Sequence, residues 1–162
     1  MSSYFGQAGI YLIQVIFGLY ILAVMLRFLF QYLRVDFYNP ISQALVKITN
    51  PPLIPLRRII PGLLGMDLAS LVLLFMLQGL ELFLTGLLSG FIPAPIGLLV
   101  LSLAYLIQTT IYIFMVTILI RIILSWINPM AGYNAAVRLL IELTEPVLAP
   151  ARRLLPPLSG LD

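Results

Sequence analysis

Glu81 is a carboxylate inside a long apolar run, and at helical spacing it shares a face with Gln78, Thr85 and Ser89. A second apolar run carries a polar stripe of Ser102, Tyr105, Gln108 and Tyr112, and Gln14 and Gly18 of the first run can face both. A carboxylate among amides and hydroxyls can line a polar cavity or an ion path, and ionisable groups inside a membrane are costly and often functional. The same residues can instead be hydrogen-bonding glue between helices, with Glu81 neutral or near the outer interface. The other chemistry-bearing groups are basic: Arg57 and Arg58, then Arg152 and Arg153. Paired arginines beside apolar spans suit anionic lipid headgroups or an acidic partner surface. They also fix topology, because basic loops stay on the inner side of a membrane.

Several function classes are closed by what is missing. The chain has no cysteine and no histidine. This excludes disulfides, Cys/His zinc sites and histidine-ligated haem, and it removes the usual general base. The Asp and Glu residues are scattered and form no catalytic pair. No phosphate-cradling glycine loop, metalloprotease pair or nucleophile elbow occurs. The potassium-filter string is also absent, so any conduction would need another design. The residues predict no enzyme, no metal and no cofactor.

The elements that position these groups follow from hydropathy. Of the residues, 62% are hydrophobic and 9% charged, against about 25% charged in soluble domains. A soluble domain this small could not bury so much apolar surface; lipid removes the need. Three runs are long enough to span roughly 30 Å of hydrocarbon, for which about 20 residues suffice: about 9–33, 68–90 and 96–120. Glu81 would then lie roughly 20 Å along the second span, at ~1.5 Å per residue. Arg27 and Arg34 end the first span, and their long side chains can reach the headgroups. Asp67 is a natural N-cap for the second span.

Between the first two spans, residues 36–66 read as an amphipathic segment. The pattern predicts a short helix from Pro40 to Thr49, then a second element broken by Pro55 and stopped at Pro61. Interleaved apolar and basic residues place it in the interface plane. Residues 131–158 form a second such segment. All nine Lys and Arg residues fall in 27–58 or 121–153. The positive-inside rule therefore puts both segments in the cytoplasm and the amino terminus outside. The basic balance is directed at lipid rather than nucleic acid.

The chain also repeats itself with an offset of 95 residues. Thr49, Pro51, Pro55, Pro61 and Asp67 recur as Thr144, Pro146, Pro150, Pro156 and Asp162, with the arginine pairs in register. Tyr38-Asn39 matches Tyr133-Asn134, and Arg27 matches Arg121 one residue out of register. Thr49 and Thr144 are expected to cap short helices, with a proline in the first turn. Gly62, Gly65 and Gly160 read as turn or helix-stop glycines. The chain thus divides into residues 1–90, a complete unit of span, amphipathic segment and span, and residues 91–162, a unit lacking its last span. The sequence predicts an all-α membrane protein with three transmembrane helices and two cytoplasmic-side amphipathic segments. Asp162 would be an N-cap with no helix after it, so a shortened chain is expected.

The doubled T-x-P-x-x-x-P-x-R-R-x-x-P-x-x-x-G-x-D pattern resembles the YggT/YlmG family, as do D-F-Y-N-P at Asp36 to Pro40 and S-W-I-N-P at Ser125 to Pro129. The resemblance covers essentially the whole chain. It implies a multi-pass membrane protein without established enzymatic activity, usually with a further span after the second Gly-x-Asp. Bacterial members of that family are associated with division or envelope organisation and with osmotic tolerance through potassium uptake. Plastid and cyanobacterial ones are associated with cofactor assembly on cytochrome b-type complexes and with nucleoid distribution. The expected function is a scaffold or assembly factor in the bacterial inner membrane, contacting lipid and a membrane-protein partner and forming a homo-oligomer. The alternative is a small ion channel or transporter.

Overall fold

A computed structural model describes residues 2–62, 66–91, 93–127 and 134–154. Pro156, Asp162, Tyr133, Gly65 and Gly160 lie outside the described residues. The described chain is helical: α1 (Ser2–Tyr32), α2 (Pro40–Ile59), α3 (Leu68–Ser89), α4 (Pro95–Ile127) and α5 (Ala135–Leu154). Three of these, α1, α3 and α4, are long and apolar enough to cross a membrane. In lipid a helix satisfies its own backbone polar groups, which is why such runs adopt this form.

The 22 residues of α3 give about 33 Å, close to one hydrocarbon thickness. Two spans exceed their expected bounds. The first helix starts at Ser2 rather than near residue 9, and α4 runs on past residue 120 to Ile127. Neither stretch holds an internal proline after its first residue, so nothing in the backbone halts the helix where the hydrocarbon ends. The 33 residues of α4 measure about 50 Å.

The two proline-rich segments also differ from the expectation. Each is a single helix of 20 residues: α2 runs through Pro51, Pro52 and Pro55, and α5 through Pro146 and Pro150. A proline inside a helix leaves the carbonyl four residues earlier without its donor. In α2 the carbonyl freed by Pro52 is that of Ile48, and the Tyr20 hydroxyl of α1 donates to it at 3.4 Å. A neighbouring helix supplies what the proline removes, and α2 continues.

Side-chain caps start three helices. The Asn39 Oδ1 accepts the amide of Ile41 at 3.0 Å, and the Asn134 Oδ1 accepts that of Ala136 at 2.9 Å. Asp67 is the N-cap of α3, accepting from the Ser70 amide at 3.4 Å. At its far end, α3 closes on Gly90 in the left-handed region, φ 74°, which glycine enters without a Cβ penalty.

In the bundle, α3 packs against both α1 and α4, while α2 lies across α1 and α3, and α5 lies on α4. The core gathers where α1 ends and α3 begins, around Val24 and Leu29 of α1, Leu53 of α2, Leu74 of α3 and Leu143 of α5. Away from it, large apolar side chains such as Phe5, Leu19, Ile111 and Met115 are exposed, as lipid-facing surfaces are.

Candidate functional site

Arg27 lies near the end of α1 and is only 4% exposed. Its Nη1 donates to the Thr49 hydroxyl at 2.6 Å and to the Val46 carbonyl at 3.2 Å, both on α2. Thr49 donates its own proton to the Leu45 carbonyl at 2.6 Å, so its lone pairs are left for the arginine. No carboxylate touches Arg27 among the described residues, and its Nε is buried without a partner.

Two expectations are thereby corrected. Arg27 does not extend to the headgroups; it is buried against α2. Thr49 and Thr144 do not cap helices, because each stands mid-helix, bonded to the carbonyl four residues back and fully buried. The prolines that follow do not begin a new helix, so no N-cap position exists at either threonine.

The α4–α5 junction uses the same pair of residue types. Arg121 Nη1 donates to Thr144 Oγ1 at 2.7 Å. Here a carboxylate joins: Glu145 accepts from Nη1 and Nη2 of Arg121, both at 3.1 Å, and from Arg152 at 3.3 Å. Asn50 stands in the place of Glu145 in the first half.

Arg57 of α2 pairs with Asp67 through Nε at 3.2 Å and through Nη2, and donates to the Gln31 amide oxygen at 3.3 Å. Ser70 donates its hydroxyl to Asp67 at 2.5 Å. Burial alone would raise the Asp67 pKa, but hydrogen bonds from Arg57 and Ser70 outweigh it and hold the carboxyl below its ordinary value. One cluster thus ties α1, α2 and the start of α3. Arg58 and Arg153 are exposed and in no ion pair among the described residues. Pro51, Pro55, Pro61, Pro146 and Pro150 are exposed as well.

The polar stripes meet elsewhere. Gln78, Glu81, Gln108, Tyr105 and Tyr112 line a cleft of about 200 Å³ together with Gly18. Gln78 donates to Glu81 at 2.8 Å, and Gln108 to Tyr112 at 3.3 Å. Thr85 is not on the cleft; its hydroxyl bonds the Glu81 carbonyl of its own helix at 2.9 Å. Ser102 is buried beside Gly79, and Gln14 is exposed. The cleft can hold water or a small cation by its chemistry. No cluster of metal-ligating side chains occurs among the described residues.

Sequence reasoning missed Gln31, Ser70 and Glu145, and missed the role of Arg27 and Arg121. The signal for the two arginines was available: both recur at nearly the spacing of the repeat, each about one amphipathic segment before an arginine pair.

Three membrane-length helices braced by two amphipathic ones, through the buried Arg27 and the half-buried Arg121, define a helical multi-span membrane protein. The sequence model of the CCB3/YggT family matches residues 6–88 and 100–162, and the chain belongs to that family. It is 44% identical over 159 residues to the uncharacterized protein PA0392 of Pseudomonas aeruginosa, covering 97% of this chain and 80% of that one. It is 40% identical over 154 residues to an uncharacterized protein in the proC 3′ region of Vibrio alginolyticus, covering 94% and 82%. With the uncharacterized protein YggT of Escherichia coli K12 it shares 34% over 152 residues, covering 94% and 78%. No solved structure matches the chain.

Proposed function

We propose that this protein is a non-enzymatic membrane scaffold or assembly factor of the bacterial inner membrane. In this reading the amino terminus is outside, and α2 and α5 lie along the cytoplasmic face. Their exposed Arg58 and Arg153, with the outward prolines, engage anionic headgroups and a membrane-protein partner. One observation carries the reading: each amphipathic helix is fixed to a span by an arginine–threonine bond, buried and 2.6 Å long for Arg27–Thr49, part-buried and 2.7 Å long for Arg121–Thr144. Such bonds hold a rigid basic surface at a set depth, as a docking platform requires. The chain reads as two copies of one unit of span and platform.

The Glu81 cleft supports a second reading, a small ion channel or transporter, because it gathers a carboxylate, two amides and two phenols within the span region. Ion flux in proteoliposomes, with and without an osmotic gradient, separates the two. The scaffold reading expects no selective flux, an unaltered result for Glu81→Gln, and a co-purifying partner lost in the Arg58→Gln/Arg153→Gln variant. Selective flux abolished by Glu81→Gln would displace it.

A further inference from the structure

The polar cleft is continuous with an apolar furrow. Both α1 and α4 pack on α3 and scarcely meet each other. Gly18 and Tyr112, which line the cleft, also line a cavity of about 440 Å³ between these two helices, together with Leu22, Leu26 and Val116. Leu26 and Thr117 carry it on into a hollow of about 260 Å³ that reaches Leu139 and Leu143 of α5. From Gly18 to Phe30 the furrow follows α1 for about 18 Å. The cleft at its head is short of donors. Gln78, only 5% exposed, donates from Nε2 to Glu81 Oε2 at 2.8 Å, and Gln108 donates from Nε2 to the Tyr112 oxygen at 3.3 Å. No other hydrogen bond joins two side chains of the cleft among the described residues. Glu81 Oε1 and the amide oxygens of Gln78 and Gln108 therefore accept from no side chain there. An acceptor held away from water without a donor is costly.

We infer that cleft and furrow together bind one membrane amphiphile with an uncharged, hydroxyl-bearing aromatic head and a single apolar tail, by chemical class a prenylated hydroquinone. The inference does not rest on the scaffold reading. Depth narrows the choice of head. Glu81 precedes the end of α3 at Ser89 by about 12 Å, well inside a helix that matches the hydrocarbon. A phosphate there would stand against the Glu81 carboxylate with no lysine or arginine lining the cleft, and charge at that depth is expensive. A hydroquinone is neutral and offers an O–H donor at each end of one ring. Glu81 or Gln78 on α3 can take one, and Gln108 on α4 the other, which answers the acceptors of both walls. A flat ring needs a gap, and Gly18 supplies it: a Cβ there would meet no atom within 4 Å. Tyr105 and Tyr112 offer aromatic surface beside that gap. The tail then follows Leu22 and Leu26 down the furrow. One groove holds one tail, whereas a diacyl lipid brings two. A bare cation would answer the acceptors but leave the furrow without a purpose.

The test is binding of tritiated decylubiquinol, a short-tailed hydroquinone, to the purified protein in phosphatidylcholine nanodiscs, with empty discs subtracted. The expected result is saturable binding of one molecule per chain. Decylubiquinone, whose oxygens only accept, should bind at least about tenfold more weakly. Hexadecanol, with one hydroxyl and no ring, should not displace the quinol at equal concentration. Glu81→Gln should weaken quinol binding about tenfold, and Gly18→Leu should abolish it, each with the melting temperature of the parent. Ile111→Leu, at an exposed position of α4 away from the furrow, should change nothing. Absence of saturable binding would overturn the inference. So would a quinone bound as tightly as the quinol, equal displacement by hexadecanol, or quinol affinity unchanged in Glu81→Gln or in Gly18→Leu. The comparisons among quinol, quinone and hexadecanol need only the parent protein, so they decide the matter where a variant fails to fold.

Discussion

Arg27 and Thr49 are joined by a 2.6 Å hydrogen bond between two buried side chains on different helices. The bond holds a cation inside the protein with only neutral partners among the described residues. Charge is retained there because the guanidinium cannot be deprotonated, so each neutral acceptor matters more than it would beside a carboxylate.

Thr49→Val keeps shape and removes the acceptor. Loss of a hydrogen bond to a buried charge costs about 1.5–3 kcal/mol, and detergent-solubilised protein should unfold at lower temperature by that measure. Thr49→Ser should restore most of it. Thr144→Val should cost about 1 kcal/mol or less, because Arg121 is 19% exposed and keeps Glu145. Equal losses in the two variants would contradict this account of the first junction.

Arg57 and Arg58 are adjacent but serve different ends. Arg57→Gln strips the buried Asp67 of its cation, and the expected loss is about 1–2 kcal/mol, reduced from the fully buried case because Arg57 is partly in solvent. Arg58→Gln should leave thermal stability unchanged and weaken retention of anionic lipid, read by native mass spectrometry. The opposite assignment of the two effects would refute it.

Asp67 also sets an acid limit. Its folded pKa lies below the ordinary value, so the carboxylate contributes stability above the unfolded value near pH 4. That contribution disappears as pH falls through the lower folded pKa. Unfolding followed from pH 6 downward should therefore show a loss that begins below about pH 4 and is flattened in Asp67→Asn.

Gly86 and Gly18 form a contrasting pair. A Cβ at Gly86 would stand 2.6 Å from the Phe91 carbonyl oxygen and 3.0 Å from Pro93, a turn that cannot shift freely. Gly86→Ala should cost about 1–3 kcal/mol. Gly18→Ala meets nothing within α1–α5 and should leave the melting temperature of these 162 residues unchanged.

The apolar spans were legible in the sequence because length and hydropathy suffice for a helix in lipid. Asp67 was legible because a cap is a local device, read from a carboxylate before an apolar run. The role of Thr49 was not. Thr-Asn-Pro-Pro has the form of a helix start, and only the burial of Arg27 against the preceding turn shows that the helix is already under way. The prolines misled for the same reason: Pro52 ends a helix unless something else answers the Ile48 carbonyl, and that answer, Tyr20, lies 28 residues away. For the cleft, Gln78, Glu81 and Gln108 were readable as stripes, whereas Thr85 follows the same period and still turns back onto its own backbone.

Asn39 links the two amphipathic helices. Its Oδ1 starts α2, and its Nδ2 donates to the Ala135 carbonyl at the head of α5 at 2.7 Å. Nearby, the Asp36 amide donates to Glu142 of α5 at 2.9 Å. The two arginine-bearing surfaces are therefore hinged together at one corner, so a push on either is felt by the other. Asn39→Asp would keep the acceptor that opens α2 while removing the donor that reaches α5, leaving two intact plates free to tilt apart.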